Sequence, residues 1–182
     1  MKHKLCNFAL IAVSAAALSG ITVQAADADL NGQAQQAIAS FQATDSSMKS
    51  FMENAAGYAV FPDVGKGGFI VGGARGKGLL YEKGAVTGQT TMTQASIGAQ
   101  AGGQSFAEII FFQTPQAVSD FKTGKFEMSA EVSAVAVKEG ASKAAQYKDG
   151  VAVFTMPKKG LMVQASVGGQ KFKFEPLVPT GR

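Results

Sequence analysis

The N-terminal part of the chain places its apolar residues with the period of a helix. Between residues 29 and 53, apolar side chains recur every three or four positions, and the other positions are mostly Gln, Ser and Thr. Asp27 or Asp29 can cap the start of a helix here, and Gly57 marks its exit. We therefore expect one long helix over 29–53, with an apolar stripe formed by Leu30, Ala34, Ala37, Ile38, Phe41, Met48, Phe51 and Met52.

This helix has two interpretations. It packs on the core of the domain, or it lies on a membrane surface with Phe41, Phe51 and Met52 inserted. Helices that lie on membranes usually carry Lys or Arg along their polar face. Only Lys49 does so here, which favours packing on the core.

From Tyr58 onward the hydrophobic pattern becomes that of short strands separated by turns. One short helix interrupts them, with Thr114 as N-cap, Pro115 at its first position and Gly124 at its end. The pattern predicts an α+β fold: a curved antiparallel sheet or small barrel, with the long N-terminal helix and the short helix packed on it. The strands are expected at 58–61 (ended by Pro62), 69–81 (turning near 76–78), 91–101, 106–113, 130–137, 151–154, 161–167 (after a turn over 157–160) and 171–174.

Glycines and an internal repeat add detail to this sheet. The chain has 22 glycines, and several lie inside apparent strands, which indicates tight curvature or a closely packed helix. Residues 57–67 and 150–160 are identical at six of eleven positions, including Phe61 and Phe154. We interpret the two copies as similar hairpins in one curved sheet; chance similarity between hairpins is the alternative.

The first 25 residues have the three zones of a secretory signal. Lys2 and Lys4 are basic, residues 8–18 are apolar, and Val23-Gln24-Ala25 offers small residues for cleavage. We expect cleavage after Ala25 and a single mature domain over 26–182, periplasmic or secreted. A retained anchor is the alternative, but the apolar run is short for a bilayer about 30 Å thick.

Cleavage changes the chemistry that the chain can offer. Cys6 and His3, its only cysteine and histidine, leave with the signal. Without them, His-based triads, thiol nucleophiles and metal sites built on thiolate or imidazole ligands are excluded, and we expect no cofactor or metal and no enzyme activity. The 17 basic residues fall to 15 against 13 acidic ones, because Lys2 and Lys4 also leave. No basic stripe is present, so we do not expect nucleic-acid binding.

Two features resemble known chemistry only superficially. The segment 72–78, GGARGKG, lacks the first glycine and the final hydroxyl residue of a phosphate-binding loop. Its pattern predicts a strand rather than the turn between a strand and a helix that such a loop requires. Glu108 lies in an apolar run and is either an edge-facing structural carboxylate, a partner of Lys or Arg, or a ligand contact. An enzyme that uses carboxylates alone is the remaining catalytic hypothesis.

Three blocks of sequence resemble the SYLF-domain family. GYAVFPDVGKGGFIVGGARGKGLLY at 57–81 is similar to the family signature, and ASIGAQAGGQSFAEIIFF at 95–112 and KKGLMVQASVGG at 158–169 are similar to later blocks. The resemblance covers about residues 30–175. It implies a lipid-binding module without catalytic residues. Eukaryotic members bind phosphoinositides and actin, whereas bacterial members are exported proteins.

The chain also departs from the family pattern. It has no Trp, and Ser129 to Val137 replaces a Gly-Pro-rich segment that is often present. The resemblance therefore carries over neither the phosphoinositide preference nor the actin role.

We therefore expect a non-enzymatic module that binds phospholipid headgroups or a membrane surface in the cell envelope. The candidate contacts are Lys66, Arg75 and Lys77, since Lys or Arg beside glycine-rich backbone can hold a phosphate, together with Phe41, Phe51 and Met52. Arg75 and Lys77 could equally be solvated turn residues. The alternative function is a structural or assembly factor that binds another envelope protein through the sheet edge or the first helix.

Overall fold

The computed structural model describes residues 19–65, 73–95, 105–126, 128, 132–159 and 169–177, with side chains from residue 29 onward except at positions 73, 95 and 159. Residues 1–18 of the predicted signal (1–25), the parts 69–71 and 96–101 of two predicted strands, and the predicted strand at 161–167 lie outside these residues. The helices are α1 (Ser19–Thr44), α2 (Met48–Asn54), α3 (Pro115–Lys122) and α4 (Ala141–Ala144). The strands are β1 (Gly57–Gly65), β2 (Gly73–Glu82), β3 (Ala85–Ala95), β4 (Ser105–Phe112), β5 (Val135–Ala136), β6 (Val151–Lys159) and β7 (Gln170–Pro176).

The strands form one seven-stranded sheet in the order β5-β6-β4-β1-β2-β3-β7. All neighbours are antiparallel except β5 and β6, so the sheet is mixed. β5 and β7 are its two edges and do not pair with each other, so the expectation of a closed barrel is wrong. The α+β class is confirmed.

The sheet is nevertheless strongly curved, because strands that are far apart in its order come into contact. The rings of Phe61 on β1 and Phe172 on β7 lie 5.9 Å apart, although β2 and β3 separate these strands. Glycine permits the close packing inside the curve. A Cβ on Gly78 would lie 2.7 Å from the ring of Phe61, closer than real Cβ atoms approach.

Apolar residues pack on both faces of the sheet. The concave face, which we call the inner face, is covered by α3 and carries a core that includes Phe61, Phe106, Phe112, Phe121 and Phe172. The opposite, outer face is partly covered by α1 and α2, and its core includes Phe41, Met48, Tyr81, Phe111 and Phe154.

The N-terminal segment forms two helices where one was expected. α1 ends at Thr44, and α2 begins at Met48 after a turn. The expected cap at Asp27 or Asp29 is wrong, since α1 begins at Ser19. The stripe packs on the outer face, as the first interpretation expected, because Ala34, Ala37, Phe41 and Met48 are buried there.

Three turns expected from sequence are strand in the structure. β1 continues through Pro62, where a bulge between Val60 and Val64 accommodates a residue without an N–H. β2 is unbroken through 76–78, and β6 runs through Pro157 to Lys159. Within the expected strand at 130–137, the described residues that form a strand are Val135 and Ala136, which pair with β6.

Other local expectations are confirmed. The Thr114 side chain accepts a hydrogen bond from the backbone N–H of Ala117 at 3.2 Å, which caps α3 as expected. Val118 and Phe121 face inward from this helix, and Gly124 follows its end with a positive φ of 70°.

The repeated segments lie on either side of β4. β1 and β6 both pair with β4, and Phe61 and Phe154 are both fully buried. Phe61 lies opposite Glu108, however, whereas Phe154 lies opposite Ile109. This one-residue difference in register places the two rings on opposite faces of the sheet, so the copies are not equivalent hairpins.

Candidate functional site

The three apolar candidates belong to the core on the outer face. Phe41 is fully buried, so the interpretation that it inserts into a membrane is wrong for this structure. Phe51 is partly buried and its ring lies 5.1–5.5 Å from those of Phe111, Tyr147 and Phe154. Met52 is also partly buried. These side chains hold α1 and α2 on the sheet rather than forming an apolar surface.

The cationic candidates have a different position. Lys66 lies outside the described residues. Arg75 and Lys77 are exposed on β2, and both point outward because they alternate with the inward positions of Gly76 and Gly78. They are therefore strand residues on the outer face, not turn residues.

Strand pairing places two further cations beside them. Arg75 lies opposite Thr93, which lies opposite Lys171, and Lys77 lies opposite Thr91, which lies opposite Lys173. Residues opposite each other in a sheet project from the same face. We call this surface the cationic face, and it comprises Arg75, Lys77, Lys171 and Lys173 with Thr91 and Thr93 between them.

The spacing of the cationic face follows from sheet geometry. Two cations on one strand are separated by about 7 Å, and cations on β2 and β7 by about 10 Å, because β3 lies between these strands. The four charges are thus close enough to act on one anionic surface but too far apart to hold one small anion together. The hydroxyls of Thr91 and Thr93 offer hydrogen bonds between the charges.

Two carboxylates border this surface. The carboxylate of Glu175 forms an ion pair with the ammonium group of Lys173, with an N–O distance of 2.7 Å. The hydrogen bond and charge of Lys173, with a contribution from the charge of Lys77, hold the pKa of Glu175 below its usual value. Asp63, opposite Lys77 on β1, pairs with Lys158 at 2.9 Å. The surface therefore keeps a net positive charge.

Lys171 and Lys173 were not candidates in the sequence. The alternation of Lys171-Phe172-Lys173-Phe174 correctly predicts lysines that face water, because Phe172 is buried and both lysines are exposed. That signal assigns a face to each side chain but no neighbour. Only the pairing of β7 with β3 brings these lysines to Arg75 and Lys77.

The inner face carries a second unusual group, Glu108. β4 is a central strand and Glu108 is completely buried, so an edge-facing carboxylate is wrong. Its partner is Gln170, whose Nε2 donates to Glu108 Oε2 at 3.0 Å. Burial raises the pKa of Glu108 to about 7, although the hydrogen bond from Gln170 acts in the opposite direction.

A second buried carboxylate, Asp45, explains the break between α1 and α2. It accepts hydrogen bonds from the backbone N–H and hydroxyl of Ser47, and from the N–H and hydroxyl of Ser142, both at 2.8 Å. Burial acts to raise the pKa of Asp45, but these hydrogen bonds outweigh burial and hold the pKa well below its ordinary value of 3.8. Asp45 thus ties the helix break to α4.

The described residues offer little else that could bind a ligand or catalyse a reaction. No three His, Cys, Asp or Glu among them could hold a metal ion, and no described helix could cross a membrane. Two cavities lie along β6, of about 280 and 180 Å³. The smaller is lined by Asp120 and Asp149 at its open surface, where Asp120 accepts a hydrogen bond from Gln116 at 2.9 Å.

Comparison with known proteins identifies the family. The Ysc84 family, described as Las17-binding protein actin regulator, matches residues 93–176, which include β4, β6 and β7. Beta cell expansion factor A of Aeromonas veronii is 30% identical over 154 residues, which cover 83% of this chain and 58% of that protein. The chain thus spans less than two thirds of this relative's length. Two of the three blocks that resemble the SYLF domain lie largely or wholly within these matched residues, and the chain belongs to the SYLF-domain (Ysc84) family.

Proposed function

We propose that this protein is a non-enzymatic module that binds anionic phospholipid surfaces through the cationic face. The observation that carries the proposal is the arrangement of Arg75, Lys77, Lys171 and Lys173 in two rows on the part of the sheet that α1 leaves uncovered. Membership of a family associated with lipid binding supports it. The absence of His and Cys beyond residue 6 supports a function without catalysis.

Attachment is electrostatic, without insertion of the first helix. Among the described residues only Leu177 is a large hydrophobic side chain with high exposure, at 45%. Each basic residue near an anionic surface contributes about 1 kcal/mol, and this contribution decreases as salt screens it. Four clustered cations therefore support reversible binding that is sensitive to salt.

Charge reversal of the cationic face tests this proposal. Arg75→Glu with Lys77→Glu removes two attractive contacts and adds two repulsive ones, so we expect affinity for phosphatidylglycerol-containing vesicles to decrease at least about 30-fold. Lys171→Glu with Lys173→Glu should have a similar effect. Co-sedimentation over a salt series measures both, and the variants should show a weaker salt dependence than the native chain.

The matched control is Lys138→Glu with Lys143→Glu. Both lysines are exposed, and they lie at and before α4, which packs near the β5 edge of the sheet. This variant has the same net charge as the first double variant, and we expect it to lose less than about threefold in affinity. Equal losses in the two variants would mean that net charge, not this face, governs binding. If the native protein binds no vesicles of any composition, the proposed function is excluded.

Binding of a protein partner through a sheet edge receives less support. The β7 edge carries Lys171, Lys173 and Pro176, and the last three residues of β6 are Pro157, Lys158 and Lys159. Lys and Pro at sheet edges discourage the addition of another strand. A native protein that fails to bind vesicles but retains an envelope protein would reverse this preference.

Export of the protein is part of the proposal and has its own test. The zones of residues 1–25 predict cleavage after Ala25, which places the chain in the periplasm or outside the cell. We expect the intact mass of the exported protein to correspond to residues 26–182. A mass that retains Met1 to Ala25 would contradict this expectation.

A further inference from the structure

We propose that Glu108 is a proton-operated latch on the cationic face: its protonated carboxyl holds β7 in place, and its ionisation releases β7 with Lys171 and Lys173. The membrane consequence rests on the function proposed above, whereas the movement of β7 does not.

The contact between Glu108 and Gln170 joins distant parts of the sheet. Glu108 lies on β4, Gln170 is the first residue of β7, and β1, β2 and β3 separate these strands in the sheet. Both side chains are completely buried, and they meet at 3.0 Å. This hydrogen bond therefore spans the concave side of the curved sheet and fastens its β7 edge to the centre.

The remaining polar atoms at this contact favour a protonated carboxyl. Glu108 Oε1 and Gln170 Oε1 are buried and have no hydrogen-bond partner within the described part of the chain, and neither does Thr155 Oγ1, on the residue opposite Glu108. An ionised carboxylate only accepts hydrogen bonds, so it cannot satisfy a buried carbonyl oxygen. A protonated carboxyl supplies one donor to this group of oxygens.

No described cation compensates an ionised Glu108. The inner face around it is apolar, with Phe61, Val64, Phe106 and Phe172 in its core. The described charged side chains of the elements around it lie on the outer face or at the protein surface, or pair with other residues: Asp63, Arg75, Lys77, Glu82, Asp120, Lys122, Lys125, Lys158, Lys171, Lys173 and Glu175. Ionisation in the closed sheet therefore leaves a buried charge with Gln170 as its one described partner.

β7 is the strand that can respond to this charge. Among the described strands it pairs with β3 alone, and Phe172 packs against the rings of Phe61, Phe121 and Phe126 at 5.1–5.9 Å. Gln170 and Phe172 point inward while Lys171 and Lys173 point outward. Release of the inward side therefore removes half of the cationic face.

The direction of the pH effect follows from the two states. The pKa of Glu108 is raised by burial to about 7 in the closed sheet, against 4.5 for an accessible carboxyl. The closed state thus binds the proton more tightly and is most favoured below pH 4.5. As pH rises from 4.5 to 7, the equilibrium constant for opening increases, and it levels off above pH 7 after a total increase of up to about 300-fold.

Hydrogen exchange of the full chain without lipid tests the latch. We expect the exchange of amides in 170–175, divided by their intrinsic rates, to increase up to about 300-fold between about pH 4.5 and pH 8. The amides of β1 serve as the internal reference and should change much less. Glu108→Gln keeps the size and hydrogen bonding of a protonated Glu108, so its β7 should stay protected at every pH.

A crosslinked variant provides a second test if Glu108→Gln fails to fold. Gln89 and Glu175 lie opposite each other on β3 and β7, so Gln89→Cys with Glu175→Cys in a Cys6→Ser background can form a disulfide that keeps all four cations. The oxidised form should bind phosphatidylglycerol vesicles equally at about pH 5.5 and pH 8, whereas the reduced form and the native chain should bind several-fold more weakly at pH 8.

The outcomes separate the latch from the proposed function. A β7 that exchanges independently of pH, or equally in the native chain and Glu108→Gln, would overturn the latch whatever the vesicles show. Movement of β7 without vesicle binding at any pH would support the latch and exclude the lipid function. Binding that depends on pH equally in the oxidised and reduced forms would also overturn the latch.

Discussion

We expect Phe61→Ala and Phe154→Ala each to lower the free energy of unfolding by about 3–5 kcal/mol. Both rings are completely buried, and both lie on strands that flank β4. Phe61 fills the space that Gly78 leaves on the inner face, and Phe154 packs against Phe51 and Phe111 on the outer face. Removal of either ring leaves a cavity that the surrounding strands cannot close without losing their pairing.

The two effects should be nearly additive in the double variant, because the rings belong to different cores and share no aromatic partner. Phe174→Ala is the matched control. Because the Phe174 ring is only partly buried, its removal should lower the free energy of unfolding by less than about 2 kcal/mol. Urea unfolding followed by circular dichroism measures all four proteins. A cost below about 1 kcal/mol at Phe61 or Phe154 would contradict the burial of that ring.

We expect Asp45→Ala to lower the free energy of unfolding by about 3 kcal/mol, because it leaves the backbone N–H groups of Ser47 and Ser142 without their acceptor. This substitution should also loosen the connection between the helix break and α4. Ser46→Ala is the control, since its exposed side chain should change stability by less than about 0.5 kcal/mol.

The contribution of Asp45 also depends on pH. Its pKa is lower in the folded protein than the ordinary value of 3.8, so the stabilisation is present above pH 3.8 and is lost as pH falls below it. Asp45→Asn removes this ionisation, and its unfolding free energy should fall less steeply in acid than that of the native chain. Parallel pH profiles for the two proteins would show that the hydrogen bonds do not depend on ionised Asp45.

The position of the apolar candidates changes the expected mode of membrane attachment. Sequence reasoning combined insertion of Phe41, Phe51 and Met52 with a few cations. Phe41 is fully buried, so a change in the first helix would act on stability before it acted on lipid affinity. The cationic face contains no helix residue, which makes strand variants the informative ones.

The sequence by itself determined features that depend on neighbouring residues along the chain. The cap at Thr114 and the outward direction of Lys171 and Lys173 follow from local hydrogen bonding and from the period of a strand. The blocks of sequence that resemble the SYLF domain also identified the family. Glycine inside β2 correctly indicated close packing, because Gly78 faces Phe61.

Only the tertiary structure decided which distant residues meet. A strand pattern shows that Lys171 faces water but not that β7 pairs with β3. The sequence therefore identified only Arg75 and Lys77 of the four cations on the cationic face. The proline turns failed for the same reason: a bulge against two partner strands lets β1 continue through Pro62. Glu108 meets Gln170 because the whole sheet curves, and that curvature arises from packing across the three strands that separate β4 from β7 rather than from any local segment.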